Sequence, residues 1–445
     1  MKKILGIVLS VTLLASVFAG CNSSQSNAGS TQVVRVWTSD SGARAIWEQL
    51  VDDFNNTVGK EKYIKLEWET YGSDYNTVVD VAKQNGQLPD IVSLSDAKLK
   101  EYIATGDVVA IDDMPGGPEF LKEYDSPFGK GSYLVSTGKT YGVNATSNVA
   151  GLIYNKDLFK KAGIVDENGD AKPPKTLDEA REYAKLITNT SEGIYGYSFP
   201  MAFSLAYILG IPSVTSMGRT VKFDYDNLTY DVSSWKKPLE WIINMKNDGS
   251  LFPGIESLDN DTSRSYFAEG KIGMMAGISW DVSVLTTQFV AKCDWGVAPF
   301  PLVDENVKYP AWRDLSGAYK ITKTAMETGP DKVMEVYKFI YSYETRKTLY
   351  ENNARISCKN DVIIDADESK LDPHFKEFAS LMDEEYEVIL NPALKIEGET
   401  ADDVYRKAIL GRISVDEAIE DINTRYTAAL KKGVEDGSID VSLYK

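Results

Sequence analysis

The sequence predicts an α/β protein built as two lobes with a ligand cleft between them. Three observations carry that prediction. Past residue 32 the hydrophobic pattern runs β-α-β-α-β, a second α/β pattern opens near Val149, and 445 residues exceed one ordinary domain. Right-handed crossovers of that order give a parallel sheet, and ligands bind beyond the carboxyl ends of such strands.

In the first lobe, Val33 to Trp37 is a short β-rich run. Ile46, Trp47, Leu50, Val51, Phe54 and Val58 recur at helical spacing. Ile64, Leu66 and Trp68 alternate with Lys65, Glu67 and Glu69, the period of a strand with one polar face. Ser73 and Asp74 stand where they can cap the next helix, whose inner stripe is Tyr75, Val78, Val79 and Ala82. Gln87, Leu88 and Pro89 stop that helix, and Asp90 to Leu94 reads as a third strand. The strand exits are then Trp37 to Asp40, Tyr71 to Asp74, and Ser95 with Asp96. They bring forward Trp37, Asp40, Tyr71 and Asp96 as candidate ligand contacts, with Arg44 reaching from the first helical turn. Asp40 and Asp96 also suit loop turns or helix N-caps, and Arg44 also suits a solvent-facing place.

The second lobe opens with the strand-like Leu152, Ile153 and Tyr154. Thr176 to Glu179 has the form of a capping box, ahead of a helix with Leu177, Ala180, Tyr183, Ala184 and Ile187 on one side. Trp241, Ile242 and Met245 mark another helix, Phe267 to Gly277 a helix end running into a strand, and Gly296 to Pro299 a short strand. The tail is helical, with Val415, Ala418, Ile419 and Ile422 as its stripe.

The N-terminus places the chain outside the cytoplasm. Lys2 and Lys3 precede an apolar run, Ile4 to Phe18, too short to span a bilayer, and Ala19 and Gly20 lead into Cys21. Residues 1–20 read as a signal peptide, and Val17 to Cys21 resembles a lipobox at which Cys21 carries the lipid, palmitate included. Residues 21–32, rich in Ser, Asn and Gly, form a flexible tether. Past it no run is long and apolar enough to span a membrane, so the membrane contact is the lipid alone. Sixty-six acidic residues oppose 48 basic ones, a charge of −18 that becomes about −20 once Lys2 and Lys3 leave with the signal. Nucleic acid and anionic bilayers require clustered Lys and Arg, so this surface argues against both as partners. It also disfavours anionic ligands unless a local Arg overrides the field. Beyond Cys21 only Cys293 and Cys358 remain, which is no disulfide framework; two free buried thiols are favoured over one bridge.

Six strings in order resemble one family. They are VWTSD from Val36, GQLPDIVSLSD from Gly86, GLIYNKDLFKKAGI from Gly151, PPKTLDEA from Pro173, FAEGKIGMMAGISW from Phe267 and GRISVDEAIED from Gly411. Together they are similar to ABC-transporter solute-binding proteins, in the carbohydrate-type group that includes maltose-binding protein. The resemblance implies a periplasmic-binding-protein-like fold, each lobe a mainly parallel sheet flanked by helices. The first lobe would hold residues 33–146 plus 315–355 and the second 149–312 plus 360–445. It further implies a monomer that closes on a carbohydrate and hands it to membrane permease subunits, with no cofactor. Position by position, Asp40 and Asp96 match acidic residues that bind sugar hydroxyls, and Trp280 matches an aromatic that stacks on a sugar ring. Asn148 stands where maltose binders carry a glutamate, and Arg406 matches a basic residue in the closing helices. Trp312 and Arg313 precede the crossover SGAYKIT. The aromatics expected ahead of Arg406 are replaced by Asp402 and Asp403, which argues against maltodextrin itself but not against a sugar. The alternatives are a non-sugar solute, such as a peptide, polyamine or polyol, and a surface-anchored carbohydrate-active enzyme.

The residue types suit sugars, whose hydroxyls need planar hydrogen-bonding partners and whose C–H faces stack on rings. Catalytic patterns are sparse. His374, in a polar setting that suits the surface, is the only histidine, so no Ser-His-Asp or two-histidine metal site can be built. No phosphate-cradling GxxxxGK[ST] occurs. Asp166 to Asp170 has calcium-loop spacing, but Leu177 stands where the bidentate Glu belongs, and a plain turn is the favoured reading.

Replacing Cys21 with Ser is expected to move the protein from the membrane fraction to the medium, or to leave an uncleaved precursor. Fractionation with mass spectrometry checks this. A wild-type protein found unlipidated and entirely in the medium would contradict it.

Overall fold

The computed structural model describes residues 30–40, 43–71, 74–94, 96–124, 133–134, 137–202, 223–303, 313–314, 319–382 and 394–441. Its strands, in chain order, are β1 (Gln32–Thr38), β2 (Ile64–Thr70), β3 (Ile91–Ser93), β4 (Val108–Val109), β5 (Tyr133–Leu134), β6 (Lys139–Thr140) and β7 (Thr146–Asn155). They continue with β8 (Tyr195–Ser198), β9 (Phe223–Asp224), β10 (Thr229–Tyr230), β11 (Ile272–Ile278), β12 (Trp295–Ala298), β13 (Arg313–Asp314), β14 (Tyr319–Thr322) and β15 (Ile356–Ser357). One five-stranded sheet has the order β2-β1-β3-β14-β4, and a six-stranded sheet has β12-β7-β11-β8 with β13 and β15 also on β7. The pairs β5–β6 and β9–β10 are separate two-stranded ribbons.

Each large sheet contains one strand that runs against the others. In the first, β1 is parallel to β2 and β3, while β14 is antiparallel to both β3 and β4. In the second, β11 is parallel to β8, while β7 is antiparallel to β11 and β12. The expected mainly parallel pairing therefore holds for the β2-β1-β3 ladder and needs correction in the second sheet. The cause is topological. β7 carries the chain out of the first sheet and β14 brings it back, so each enters its new sheet from the opposite end. The strands around them still share one direction.

Local sequence explains the elements. The helix Arg44–Asn56 buries Trp47, Leu50, Val51 and Phe54 against the first sheet's core of Val34, Val36, Ile91 and Ile321. Each such side chain contributes about 1.5–3 kcal/mol on burial. The helix Tyr75–Gln84 starts where expected, yet Asp74 at its N-cap makes no side-chain capping bond. Thr176 does cap Leu177–Ile187, its Oγ1 accepting the Glu179 N–H at 3.2 Å. The Glu179 carboxylate reaches back one residue further than a capping box requires, to the Lys175 N–H. The helix Val415–Glu435 is capped by a complete Ser414–Glu417 box and buries Ala418, Ile419 and Ile422. Cys293 and Cys358 are not joined in a disulfide, both are half-buried rather than buried as expected, and burial pushes the Cys293 thiol up to about 11. His374 is not simply a surface residue. Its ring stacks on Trp295 at 3.6 Å, and Nδ1 lies 2.8 Å from Asp372. No described helix is long and apolar enough to cross a membrane.

Glycines set the closest approaches in the second sheet. Gly151 and Gly277 face each other across β7 and β11, and a Cβ on Gly151 would lie 2.8 Å from the Ala298 carbonyl oxygen. The tightest is Gly196 in β8, where a Cβ would fall 2.1 Å from the Ala184 carbonyl oxygen of the helix behind. That neighbour is backbone, so the helix and sheet must separate. Gly196→Ala should destabilise the fold by about 1–3 kcal/mol. A thermal melt should show a drop of several degrees; an unchanged melting temperature would contradict the close packing.

Candidate ligand-binding cleft

The reversed strands decide which strand ends meet. The carboxyl ends of β1, β3 and β11 and the amino ends of β7 and β14 converge on one cleft of about 690 Å³. From the first sheet's side come Thr38, Ser39, Asp40, Ser93 and Tyr319, with Trp47 from the first helix. From the second come Thr146, Asn148, Trp280 and the segment Ser283 to Gln288, whose last five residues form a turn of π-helix. Arg264 and Asp261 enter from the helix Asn260–Ala268. Leu349, Ala354 and Arg355 complete the wall just before β15.

The first wall is an aromatic and ionic platform. Trp47 stacks on Trp68 at 4.1 Å, and both rings meet the edge of Tyr319. The Tyr319 hydroxyl lies 3.3 Å from Thr38 Oγ1. Burial holds that phenol well above its ordinary range, and the nearby Asp40 charge adds to it. Asp40, at the exit of β1, accepts a hydrogen bond from Arg355 Nη2. Arg355 also donates to the Ala354 carbonyl at 2.7 Å, a second bond that restrains its guanidinium.

The second wall is built around the turn after β11. Asp281 is buried and accepts the Ile278 N–H at 2.8 Å on Oδ2 and Arg264 Nε at 2.8 Å on Oδ1. Arg264 Nη1 donates to Asp261 at 2.9 Å. Ser279 N–H bonds the Val149 carbonyl at 3.0 Å, and Ser279 Oγ donates to Asn148 Oδ1 at 3.2 Å. These bonds hold the turn that presents Trp280, half-buried against the second core.

Among the sequence candidates, Asp40, Asn148 and Trp280 line this cleft. Trp37, Arg44, Tyr71 and Arg406 are not among its lining residues. Trp37 lies on the sheet face opposite Val36 and Thr38, edge-on to Tyr71 at 5.3 Å. Tyr71 donates to Glu69, and burial with that carboxylate pushes its phenol up to about 12. Arg44 is tied by Nη2 to the Thr70 carbonyl at 2.9 Å. Arg406 sits half-buried on the helix Ala401–Ile409. Asp96 opens the helix Asp96–Ala104 and Arg313 pairs through its backbone with Val149, but their side chains lie outside the described residues, as do Trp312 and Cys21. Sequence reasoning missed Arg264, Arg355, Trp47 and Tyr319, whose roles come from partners distant in the chain, and Asp261, which pairs with Arg264 one helical turn on. Asp166 spends Oδ1 on the N–H groups of Asn168 and Asp170, as a turn does. No group of three or more metal-ligating side chains occurs among the described residues.

Comparisons with known proteins agree on the family. The multiple sugar-binding protein of Streptococcus mutans serotype c is 22% identical over 311 residues, 67% of this chain and 70% of its own length. The sn-glycerol-3-phosphate-binding periplasmic protein of Agrobacterium fabrum is 28% identical over 185 residues, 39% of either chain. Among solved structures, the maltose/maltodextrin-binding domain of Bdellovibrio bacteriovorus bound to maltotriose matches with a TM-score of 0.67 at 18% identity. That match covers 91% of this chain and all of the other, and shows a shared fold. The family model for bacterial extracellular solute-binding proteins matches residues 49–377, and the chain belongs to that family.

Proposed function

We propose that this protein is the lipid-anchored, extracellular substrate-binding component of an ABC importer and captures a sugar or oligosaccharide. The observation that carries this reading is the pairing of walls in one cleft. Trp280 offers a ring on the second wall, while the Asp40–Arg355 pair offers planar donors and acceptors on the first. Between them stand hydroxyl and amide side chains, including Thr38, Ser93, Thr146, Asn148, Thr287 and Gln288. A sugar presents just these complementary surfaces, apolar C–H faces ringed by hydroxyls. The cleft's volume is that of a small-molecule site.

In this reading residues 33–146 with 315–355, and 149–312 with 360–445, are two lobes that close around the ligand. Closure is favoured because each wall alone makes only half of the contacts. Cys21 carries the lipid, and a monomer delivers the ligand to the permease subunits. A second reading, a non-sugar solute, draws on the similarity to the glycerol-phosphate-binding protein of Agrobacterium fabrum.

Thermal-shift screening against a panel of neutral sugars tests the class, since ligand at 100 times its Kd adds about 2.7 kcal/mol of apparent stability. Trp280→Ala should then weaken binding by about 2–4 kcal/mol, roughly 30- to 1000-fold. Calorimetric titration beside a thermal melt separates this from misfolding. A folded variant with wild-type affinity would remove Trp280 from the site, and a panel in which no neutral sugar shifts the melt would overturn the sugar reading.

A further inference from the structure

Both arginines in the described cleft wall are already matched by carboxylates. Arg355 is paired with Asp40, and Arg264 lies between Asp281 and Asp261. No lysine or histidine lines the cleft among the described residues. The Arg264 group is the more deeply built, with side-chain exposures of 15% for Arg264 and 6% for Asp281 against 62% for Asp261. Among the described residues all the groups bonded to Asp281 are donors, two guanidinium nitrogens on Oδ1 and the Ile278 N–H on Oδ2. A proton on that carboxyl would have nothing to donate to. Burial outweighs the pull of the Arg264 guanidinium and leaves this acid above its ordinary value; with only donors bonded to it among the described residues, the ionised form is still the one the site is shaped to hold.

We propose that Asp281 is a specificity-determining positioning residue whose charge cancels Arg264, so that the cleft takes uncharged polyhydroxylated ligands and rejects phosphorylated or carboxylated ones. This rests on the cleft being the ligand site. Arg264 has five N–H groups and uses three on Asp281 and Asp261. The remaining two belong to a planar head with a fixed orientation, which costs little ordering when a hydroxyl oxygen accepts from it. An anion gains far less there. It meets no unmatched cation in the described wall, and would have to shed its hydration or displace Asp281 from Arg264. The acidic charge of the whole chain, −18, opposes it further. Asp281 also accepts the Ile278 N–H that shapes the Trp280 turn, so one carboxylate sets both the ring and the hydroxyl donor of the second wall.

The test is calorimetric titration of the full chain with the neutral sugar that gives the largest thermal shift and with sn-glycerol 3-phosphate, in wild type and in Asp281→Asn. The wild type should bind the sugar and not the phosphate ester. The Asn variant keeps the shape and loses the charge. It should bind the sugar about tenfold or more weakly and acquire measurable affinity for the ester, a reversal that loss of structure alone does not produce. Asp261→Asn, at an exposed carboxylate, removes part of the same counter-charge without disturbing the core. It should shift the ratio in the same direction and carries the test if the Asp281 variant does not fold. Wild-type protein that binds both sugar and ester overturns the charge selection while leaving the sugar site intact. Binding of the ester and no sugar overturns both. Folded variants with an unchanged sugar-to-ester ratio overturn the role of Asp281.

Discussion

The rest of the structure depends on the backbone pairing of one strand. β7 is ten residues long, is buried along all but its first residue, and has β11, β12, β13 and β15 hydrogen-bonded along it. A strand surrounded in this way cannot leave its backbone groups unpaired without a cost of about 1–3 kcal/mol each. That cost explains why both later crossings of the chain, through β13 and β15, are laid against its first four residues. It also explains Gly151 and Gly277, since ladders this close leave no room for a Cβ at those positions.

The direction of β7 has a functional consequence. Because β7 and β14 run against their neighbours, their amino ends lie beside the carboxyl ends of β1, β3 and β11. Strand ends are where backbone regularity stops, and short polar side chains such as Thr38, Ser93 and Thr146 occupy them here. The crossing at β15 is anchored separately. Arg346 is buried and donates to Ser357 Oγ at 3.0 Å and to Asp361 at 2.9 Å, tying β15 to the helix Tyr343–Glu351. In the proposed mechanism the lobes move about these crossings, while Arg355, one residue before β15, moves with the first wall through Asp40.

Much of this was legible in the sequence, for reasons that can be stated. The alternation of Ile64, Leu66 and Trp68 and the stripe of Leu177, Ala180, Ala184 and Ile187 are local patterns set by one burial direction, and local patterns survive in a sequence. The reversal of β7 was not legible, because nothing in GLIYN encodes the direction of its partners. Trp37 shows a second limit. Strand-exit reasoning finds the right end of β1 but not the face, and a shift of one residue puts Thr38 in the cleft and Trp37 behind the sheet. Arg355 and Asp40 are 315 positions apart, and Arg264 and Asp281 are 17 apart, so neither pair forms a motif. Trp280 could be singled out only because a family resemblance marks its turn.

The central claim is that one ligand touches both walls of this cleft. Amide hydrogen exchange measured by mass spectrometry, with and without a saturating neutral sugar, tests it most directly, because exchange reports local opening along the whole backbone. The account predicts slower exchange at the β1 exit around Thr38 to Asp40 and, together with it, across Ser279 to Gln288. Protection confined to one wall, or appearing away from both, would contradict it.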